Sequence, residues 1–447
     1  MTQTAQSGMW GFGMQSAKGT LATSWYRHMA SQIDFGPVQD MKNFPLEVGG
    51  AIIPTGQYKG GAFVAGGATI QPRLQGDLGW LFKATMGQVV TTPGAISAAG
   101  IHAAIDAVVV ANTTTGFTVP PSARRILFTP TGFTGTVTFT ISGTDDSDAV
   151  ITEAGFTLTV AGGVKLSVKE YKTVTGINVT SAATGSGSFT TGFYQSNSHV
   201  AKFNTLTDDI PWISVRKLLP PNDATNGLGE IGKDCRLNGL RINAPQNGII
   251  SARVDVTGRE PVWEEGATLT SWTWLGGLED YKSVPLSCVA NGYIKLPNYS
   301  ASALPILNLT WTFANNTTSP QQEMIIGSPF PDDFAVLSRS LTLQATLKWN
   351  DKALYKKLMM GSGTVWDPAP FETDLDVKLL APKNVPTTAG TIPYSLQMLA
   401  SAVTWTPQSS PQLEGGGFLS LQLQGQAVLP ATGDYASLTW VNEYAAY

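Results

Sequence analysis

The sequence contains one short pattern twice, and this repetition constrains the fold more than any other feature. Residues 69–87 read TIQPRLQGDLGWLFKATMG, and residues 342–361 read TLQATLKWNDKALYKKLMMG. Both begin with Thr, an apolar residue and Gln, place a leucine five residues after the Thr (Leu74 and Leu347), and end in Met-Gly. Alternation followed by helical spacing predicts a strand and then a short helix. A chain that carries this unit twice is predicted to contain a duplicated, β-rich fold.

Each copy also carries signals for where its helix begins and ends. Asp77 and Asp351 stand where an N-cap carboxylate accepts the free amide hydrogens of the first turn. Gly87 and Gly361 are placed for a left-handed C-terminal stop. Each helix spans about two and a half turns, which is too short to be stable alone. We therefore expect both helices to lie against a sheet.

A long β-hairpin is predicted after each strand-helix unit. Residues 235–260 alternate on both sides of Pro245, Gln246, Asn247 and Gly248, and the Asn-Gly pair supplies the positive φ of a tight turn. Residues 394–428 again form two alternating arms around a turn rich in Pro, Ser and Gly. The order strand, helix, long hairpin thus occurs once with an interruption and once without.

The interruption is a segment of different character. TTPGAISAAG (91–100) resembles a small-residue flexible linker, and after it come short period-two runs at 134–142, 155–160, 165–171 and 176–181. Turn signals about every ten residues predict a compact β-sandwich inserted into the chain. The predicted domains are the first repeated domain (1–90 and 197–264), the inserted sandwich (91–196) and the second repeated domain (265–447).

The charge content predicts a protein that is covered by copies of itself. Only 13% of the 447 residues are charged, against about 25% in typical globular domains. So few charges leave little with which to solvate a surface, and this favours a homo-oligomer over a monomer. The net charge of −4 and the absence of a run of basic residues argue against a sequence-independent nucleic-acid binder. A mildly acidic protein can still line a path along which DNA slides.

Processing and membrane signals are absent from the sequence. The N-terminus MTQTAQSGMWGFG lacks the charged and apolar regions of a signal peptide, and no 18-residue apolar run is present. The two cysteines, Cys235 and Cys288, have no metal-ligand spacing and favour buried free thiols, with a disulfide left open. We expect a chain without a membrane span that is made and assembled in a cytoplasm.

No arrangement of residues typical of catalysis, metal binding or cofactor binding is evident. The histidines His28, His102 and His199 lie far apart, and GFGMQSAKG (11–19) has neither nucleotide-binding glycine spacing. The run TDDSD (144–148) lacks the glycine and closing glutamate of a calcium loop and is better explained as a turn. Solvated loops explain the adjacent acids better than paired catalytic carboxylates do; these are Asp208-Asp209, Glu264-Glu265 and Asp332-Asp333. The sequence predicts a protein that is not an enzyme and has no cofactor.

The twelve tryptophans leave a second hypothesis about function open. Trp272 and Trp274, in TSWTW, could stack on sugars, as in an adhesin or a carbohydrate-binding module. Aromatic residues are also enriched in cores and at subunit interfaces, which is the commoner explanation.

Several segments resemble the tail tube proteins of long-tailed, non-contractile bacteriophages. They are FGMQSAKGT near the N-terminus, the strand leading into a short helix and Met-Gly, the hairpin LNGLRINAPQNGIISARVDVTGRE, and Cys235 in GKDCRLNGL. The insert, PSARRILFTPTGFTGTVTFTISGTDDSDAVITE (121–153), resembles the small Ig-like sandwiches of phage tail and capsid subunits. The resemblance covers most of the chain as a pattern and not as an invariant motif.

The resemblance implies a mainly β fold of two tail-tube β-sandwich domains, each with a short flanking helix, plus an inserted Ig-like β-sandwich. In this family the inner sheets of six domains join into a continuous barrel, and the resulting rings stack. Two domains per chain would make three chains complete one pseudo-hexameric, trimeric ring. The implied partners are further copies of the chain, other tail proteins, the tape-measure protein and the passing DNA. The implied location is the virion tail, after assembly in the host cytoplasm.

The resemblance also gives the loops a predicted role. We expect Pro245, Gln246, Asn247 and Gly248, and the counterpart around Gln408–Gly416, to mediate ring stacking or to face the lumen. The inserted sandwich is expected to project outward, where it cannot block the bore.

Overall fold

The computed structural model of the protein is mainly β. It describes residues 8–44, 53, 56–74, 78–92, 96–120, 124–145, 148–194, 196–203, 210–220, 223, 225–270, 272, 274, 285–287, 292–300, 302–349, 352–361, 366–385, 392–408, 419–431 and 433–442. The helices found there are α1 (Leu78–Met86), α2 (Ala267–Thr270) and α3 (Lys352–Met360). The predicted mainly β fold class with short flanking helices is confirmed.

Two compact units divide the chain. The first comprises Met1–Val90, Val200–Pro382 and Ser395–Thr439, and the second comprises Thr91–His199, Lys383–Tyr394 and Trp440–Tyr447. The strands before the long insert are β1 (Met9–Met14), β2 (Tyr26–His28), β3 (Ala30–Ile33), β4 (Gly36–Asn43), β5 (Gln57–Ile70) and β6 (Gly87–Thr92). Those between residues 96 and 203 are β7 (Ile96–Asp106), β8 (Asn112–Thr113), β9 (Arg124–Thr134), β10 (Thr136–Thr144), β11 (Val150–Thr159), β12 (Lys165–Tyr171), β13 (Thr173–Ser181), β14 (Thr184–Tyr194) and β15 (Asn197–Phe203). The remainder are β16 (Ile213–Leu219), β17 (Leu228–Ala244), β18 (Ser251–Glu264), β19 (Tyr293–Lys295), β20 (Ile306–Thr317), β21 (Val336–Lys348), β22 (Phe371–Val385), β23 (Ile392–Pro407), β24 (Ser420–Ala427) and β25 (Ala436–Asn442).

The first unit is organised around seven consecutive antiparallel strands in the order β5, β18, β17, β20, β21, β24, β23. Apolar and polar residues alternate along these strands, so one face of the sheet is buried and the other is open. One cross-strand row of the buried face shows the pattern; it consists of Ile70, Ala252, Ile242, Trp311, Leu343, Gly425 and Trp405. The core of this unit lies against that face.

The two repeated segments occupy matching places in this sheet. In the first copy, strand β5 pairs with the second arm of the hairpin β17–β18. In the second copy, strand β21 pairs with the second arm of the hairpin β23–β24. A helix follows the strand in both copies, as α1 follows β5 and α3 follows β21. The sequence pattern therefore corresponds to one topological unit that occurs twice.

The two copies differ where a proline replaces an alanine. The matched segments QPRL and QATL begin at Gln71 and Gln344, and Pro72 stands at the position of Ala345. Strand β21 continues through Ala345, which pairs with Leu423, whereas strand β5 ends at Ile70. Proline has no N–H group to donate to a neighbouring strand, so the ladder of the first copy stops earlier. Strand β5 therefore ends before Leu74, whereas strand β21 continues past Leu347.

The helices end at glycines. Gly87 directly follows α1 and has φ 97°, and Gly361 directly follows α3 and has φ 70°. Both angles lie in the left-handed region, which glycine adopts without a side-chain clash. Asp77 and Asp351, the predicted N-caps, lie outside the described residues. Helix α1 is almost fully buried, whereas α3 buries only Leu354 and Leu358.

Residues of the second half of the chain hold the end of α1. The Arg339 guanidinium donates to the Thr85 and Met86 carbonyl oxygens, each at 3.1 Å, and its Nε donates to Asn315 Oδ1 at 2.9 Å. Asn315 is fully buried and donates to the Thr85 carbonyl as well. A cation at a helix C-terminus is favoured by the helix dipole. Burial lowers the pKa of Arg339 to about 10, so the guanidinium still carries its charge at neutral pH.

The second unit contains two four-stranded antiparallel sheets, β11-β10-β13-β8 and β12-β9-β14-β7. Four phenylalanine rings meet in its core, with centroid separations of 4.8–6.1 Å; they are Phe128, Phe139, Phe156 and Phe189. The four runs predicted as strands overlap β10–β13, although the first run begins at Thr134, the last residue of β9, and β11 begins earlier than predicted, at Val150. The predicted flexible linker is not a linker over 96–100, because these residues belong to β7 and two of them pair with β14.

Gly425 gives the Trp405 ring its place in the core, and this generates a prediction. A Cβ at Gly425 would lie 2.8 Å from Trp405 Cζ3 and 2.9 Å from Val403 Cγ1. We expect Gly425→Ala to destabilise the protein by about 1–3 kcal/mol, as overpacking does in other cores. Thermal unfolding followed by circular dichroism measures this change.

Gly239 supplies the matched control on the open face of the same sheet. Its Cβ would meet nothing nearer than the Phe313 carbonyl oxygen at 3.5 Å, an ordinary contact. Gly239→Ala should therefore leave the unfolding temperature close to that of the unmodified chain. Equal effects of the two substitutions would contradict the packing argument.

Candidate functional site

The open face of the seven-stranded sheet is a continuous surface whose side chains are mostly polar. We call two of its cross-strand rows, taken together, the polar face. The first row consists of Thr69, Arg253, Arg241, Thr312, Thr342, Gln426 and Thr404. The second consists of Ser251, Asn243, Thr310, Gln344, Gln424 and Thr406. All thirteen side chains are exposed or half-buried.

Uncharged groups on the polar face hydrogen-bond one another. Thr310 Oγ1 donates to Asn243 Oδ1 at 2.9 Å, and Gln408 Nε2 donates to Gln424 Oε1 at 2.7 Å. Amides and hydroxyls both donate and accept, so they can exchange these bonds for bonds to water or to a passing ligand. The polar face can therefore be wetted without presenting a strong charge.

One of the two arginines of the polar face is neutralised by acids. Arg253 Nη2 donates to both carboxylate oxygens of Asp34, at 2.8 and 2.7 Å, and its Nε donates to Asp255 Oδ1 at 2.9 Å. These bonds from Arg253, together with the bond from the Gly67 amide, hold the pKa of Asp34 below its ordinary value. The other arginine, Arg241, is exposed and pairs across the strands with Arg253.

The predicted loop lies at the tip of the first long hairpin, which the structure contains. Strand β17 ends at Ala244 and β18 begins at Ser251, so the connection spans 245–250 and not the four residues expected. Gln246 and Asn247 are exposed, Pro245 and Gly248 are half-buried, and Gly248 has φ 148°. The connection is longer because Ile249 and Ile250 are bound to another segment: Ile250 N donates to the Leu286 carbonyl at 3.0 Å.

A small cleft of about 160 Å³ opens beside this loop. Ala244, Pro245 and Gln246 form one wall, and the residues opposite include Tyr293, Leu304 and Leu379. None of the described residues that line the cleft carries a charged side chain. In the counterpart loop, only Gln408 is described; Pro411–Gly416 and the residues next to them lie outside the described part.

A second hairpin carries features that the sequence reasoning missed. Strands β4 and β5 pair from Gly36 to Asn43, and large apolar side chains on or near them are exposed; these are Val38, Met41, Phe44, Ile53 and Tyr58. The Phe44 and Tyr58 rings stack at 5.7 Å. The alternation in GPVQDMKNF was the available signal. Exposed apolar groups on one hairpin make it a candidate contact surface.

The histidines do not come together in a site. His28 stacks on Phe12 at 5.2 Å, His199 lies between Thr91 Oγ1 (2.9 Å) and Asn442 Oδ1 (2.8 Å), and His102 packs against Phe117. No group of three or more His, Cys, Asp or Glu side chains that could hold a metal ion occurs in the described part of the chain. Cys235 is a buried free thiol; Cys288 lies outside that part.

Several of the adjacent acids have structural partners. Lys18 Nζ lies 3.7 Å from Asp332 and 3.8 Å from Asp333, and Glu264 accepts a hydrogen bond from Trp272 Nε1. In the TDDSD run, Asp145 Oδ1 accepts from the Ala149 amide, and this contact closes the turn between β10 and β11. Asp208-Asp209 lies outside the described residues.

Trp272 and Trp274 pack on a buried cation. The Arg216 guanidinium carbon lies 4.6 Å from the Trp272 ring centre, 4.0 Å from that of Trp274 and 4.4 Å from that of Trp25. Arg216 is only 3% exposed, and burial lowers its pKa to about 10. Because the guanidinium occupies one face of each indole, packing within the protein accounts for these tryptophans, and the carbohydrate-binding alternative loses support.

Comparison with protein families places the chain beside known proteins. A family model described as phage tail tube protein matches residues 46–427, which is more than half of the chain. A search of curated proteins finds no match. No helix in the described ranges has both the length and the apolar character required to cross a membrane.

The Asp34–Arg253 contact generates a prediction about acid stability. Because the pKa of Asp34 is lower in the folded protein than in the unfolded chain, its contribution to stability is complete above the ordinary pKa of Asp. That contribution is lost as the pH falls through the folded value. We expect Asp34→Asn to lower stability near pH 7 and to leave a smaller further loss below about pH 4.

Urea unfolding at pH 7, 5 and 3 measures the difference between Asp34→Asn and the unmodified chain. Asp40→Asn is the control, because Asp40 also forms an ion pair on the same hairpin, with Lys42, but holds no arginine of the polar face. A difference that stays constant across the three pH values would contradict the assignment to Asp34.

Proposed function

Because the chain belongs to the phage tail tube protein family, we propose that its seven-stranded sheet is a sector of the tube wall and that the polar face lines the bore. Family membership makes the chain a structural component of the phage tail and supports the prediction that it is not an enzyme. The finer proposal is a subunit of stacked rings in a non-contractile tail, through whose lumen the genome leaves.

The observation that carries this proposal is the continuity of the sheet across both copies of the repeat. Strand β20 pairs with β17 of the first hairpin on one side and with β21 of the second copy on the other. A barrel wall needs a sheet that continues from one unit to the next without open edges. A wall around a wet bore also needs one apolar and one polar face, and the alternation along these strands supplies both.

The composition of the polar face suits a channel for DNA. Bare basic residues would bind phosphate and slow its passage, whereas amides and hydroxyls form weak, exchangeable contacts. The sequence led us to expect an acidic lining. On the two rows, however, the charged residues are the arginines Arg241 and Arg253, and Arg253 is neutralised by Asp34 and Asp255. The proposed lining is therefore nearly neutral.

We propose three chains per ring, with two tube domains in each chain. The topological repeat supports two domains, and the compact unit that contains Thr91–His199 supports an inserted Ig-like sandwich close to the predicted 91–196. Six strand-helix-hairpin units would then come from three chains. Other tail proteins and the tape-measure protein are further proposed partners.

Purified protein at increasing concentration, imaged by negative stain and then by cryo-EM, tests the assembly. We expect rings or tubes with three chains in each ring. A protein that stays a dispersed monomer, even with other tail proteins present, would contradict the tube proposal. Rings of six identical chains would contradict the stoichiometry alone.

We propose that the hairpin β4–β5 makes contacts between stacked rings, with the loop Pro245–Gly248 as a second candidate. Met41 is 48% exposed on β4. Met41→Glu places a charge in that apolar patch, so we expect tubes to shorten or to separate into single rings, by electron microscopy and sedimentation velocity.

Met359 provides the matched control, because it is 47% exposed but lies on helix α3. Met359→Glu should leave tube length unchanged. If both variants assemble normally, the contact surface lies elsewhere.

A further inference from the structure

We propose that Arg241 is a phosphate-contacting residue, placed once per chain on the polar face, that binds the backbone of nucleic acid passing along it. This inference rests on the proposed function, since it takes the polar face to line the bore. It goes further by naming one residue and one chemical group for a contact on that surface.

The first support is charge. Arg241 is exposed, and its neighbours in the row are Arg253 and Thr312. Asp34 and Asp255 both contact Arg253. No ion pair to Arg241 is found among the described residues, so its charge is available to an anion on the open side of the sheet.

The second support is the chemistry of the surrounding groups. The surrounding residues are Asn243, on the same strand as Arg241, and Thr310 and Thr312, on the neighbouring strand β20. Each of them carries a side-chain donor. Arginine together with amide and hydroxyl donors is the set that proteins use to contact phosphate oxygens. The thirteen side chains of the polar face include no large apolar residue. The face therefore suits a phosphate backbone better than an amphipathic helix, which needs an apolar groove.

The third support is a difference between the two copies. Thr69, Arg253 and Arg241 occupy the same row and the same order of strands as Thr342, Gln426 and Thr404. The second copy thus has threonine where the first has Arg241. One isolated cation per chain gives a weak contact, because each neutralised phosphate contributes only a salt-dependence slope of about −0.9. Weak contacts permit movement along the surface.

The test uses assembled tubes of the full chain and a short, fluorescently labelled duplex DNA. Negative stain first establishes that each variant forms tubes. Fluorescence anisotropy then measures the DNA affinity at salt concentrations from about 25 to about 200 mM, because phosphate contacts weaken over this range. We expect Arg241→Gln to weaken binding about tenfold at low salt and to reduce the salt slope. Arg241→Lys should retain most of the binding.

Two further variants sharpen the result. Thr404→Arg adds the cation that the second copy lacks, and we expect it to strengthen binding and to steepen the salt slope. Lys356→Gln removes an exposed charge from helix α3, away from the polar face, and should leave both quantities unchanged.

Each other outcome overturns the inference. If the Arg241→Gln variant forms normal tubes and these bind DNA as tightly as tubes of the unmodified protein, a phosphate contact at Arg241 is excluded. An effect of Arg241→Gln on binding of poly-L-glutamate, but not of DNA, would assign the residue to an acidic protein partner. Failure of the unmodified chain to form tubes would contradict the proposed function itself and is seen before any DNA is added.

Discussion

The structure depends on strand β20, because both of its edges are hydrogen-bonded. It pairs with β17 from Gly239 to Ala244 on one side and with the length of β21 on the other. Backbone N–H and C=O groups at a strand edge need partners, and a duplicated unit would otherwise leave an open edge on each copy. With β20 in place, the two copies share one sheet and one buried face. The polar face exists only because that register is continuous.

The sequence was informative wherever a local rule decides the outcome. Periodicity predicted the repeated strand and helix, the long hairpins and the strands of the insert, and glycine chemistry predicted where both helices end. Pro72 is visible in the sequence, and its missing N–H explains why strand β5 ends earlier within the repeat than strand β21 does. Aligning the two copies by residue identity did not reveal that the two strands end at different positions in the repeat.

Features that depend on distant residues could not be predicted in this way. Arg216 meets Trp25, Trp272 and Trp274 only after three separate segments have folded together. The order of strands that places Arg241 beside Arg253 and Thr312 is likewise a matter of register, for which the sequence of any one strand carries no signal. The buried bonds from Arg339 and Asn315 to the end of helix α1 have the same origin, and they make that helix depend on the second half of the chain.

The covalent link between the copies has a kinetic consequence. A ring of six separate domains has six seams between molecules, and it needs five encounters in solution before the last seam can close. Strand β20 closes the seam between the two copies within the chain, where the effective concentration of one copy near the other is far higher than that of free subunits. A ring of three such chains needs only two encounters before its last seam closes, so nucleation depends on a lower power of subunit concentration. Duplication of the domain would then favour assembly when few subunits are present in the infected cell.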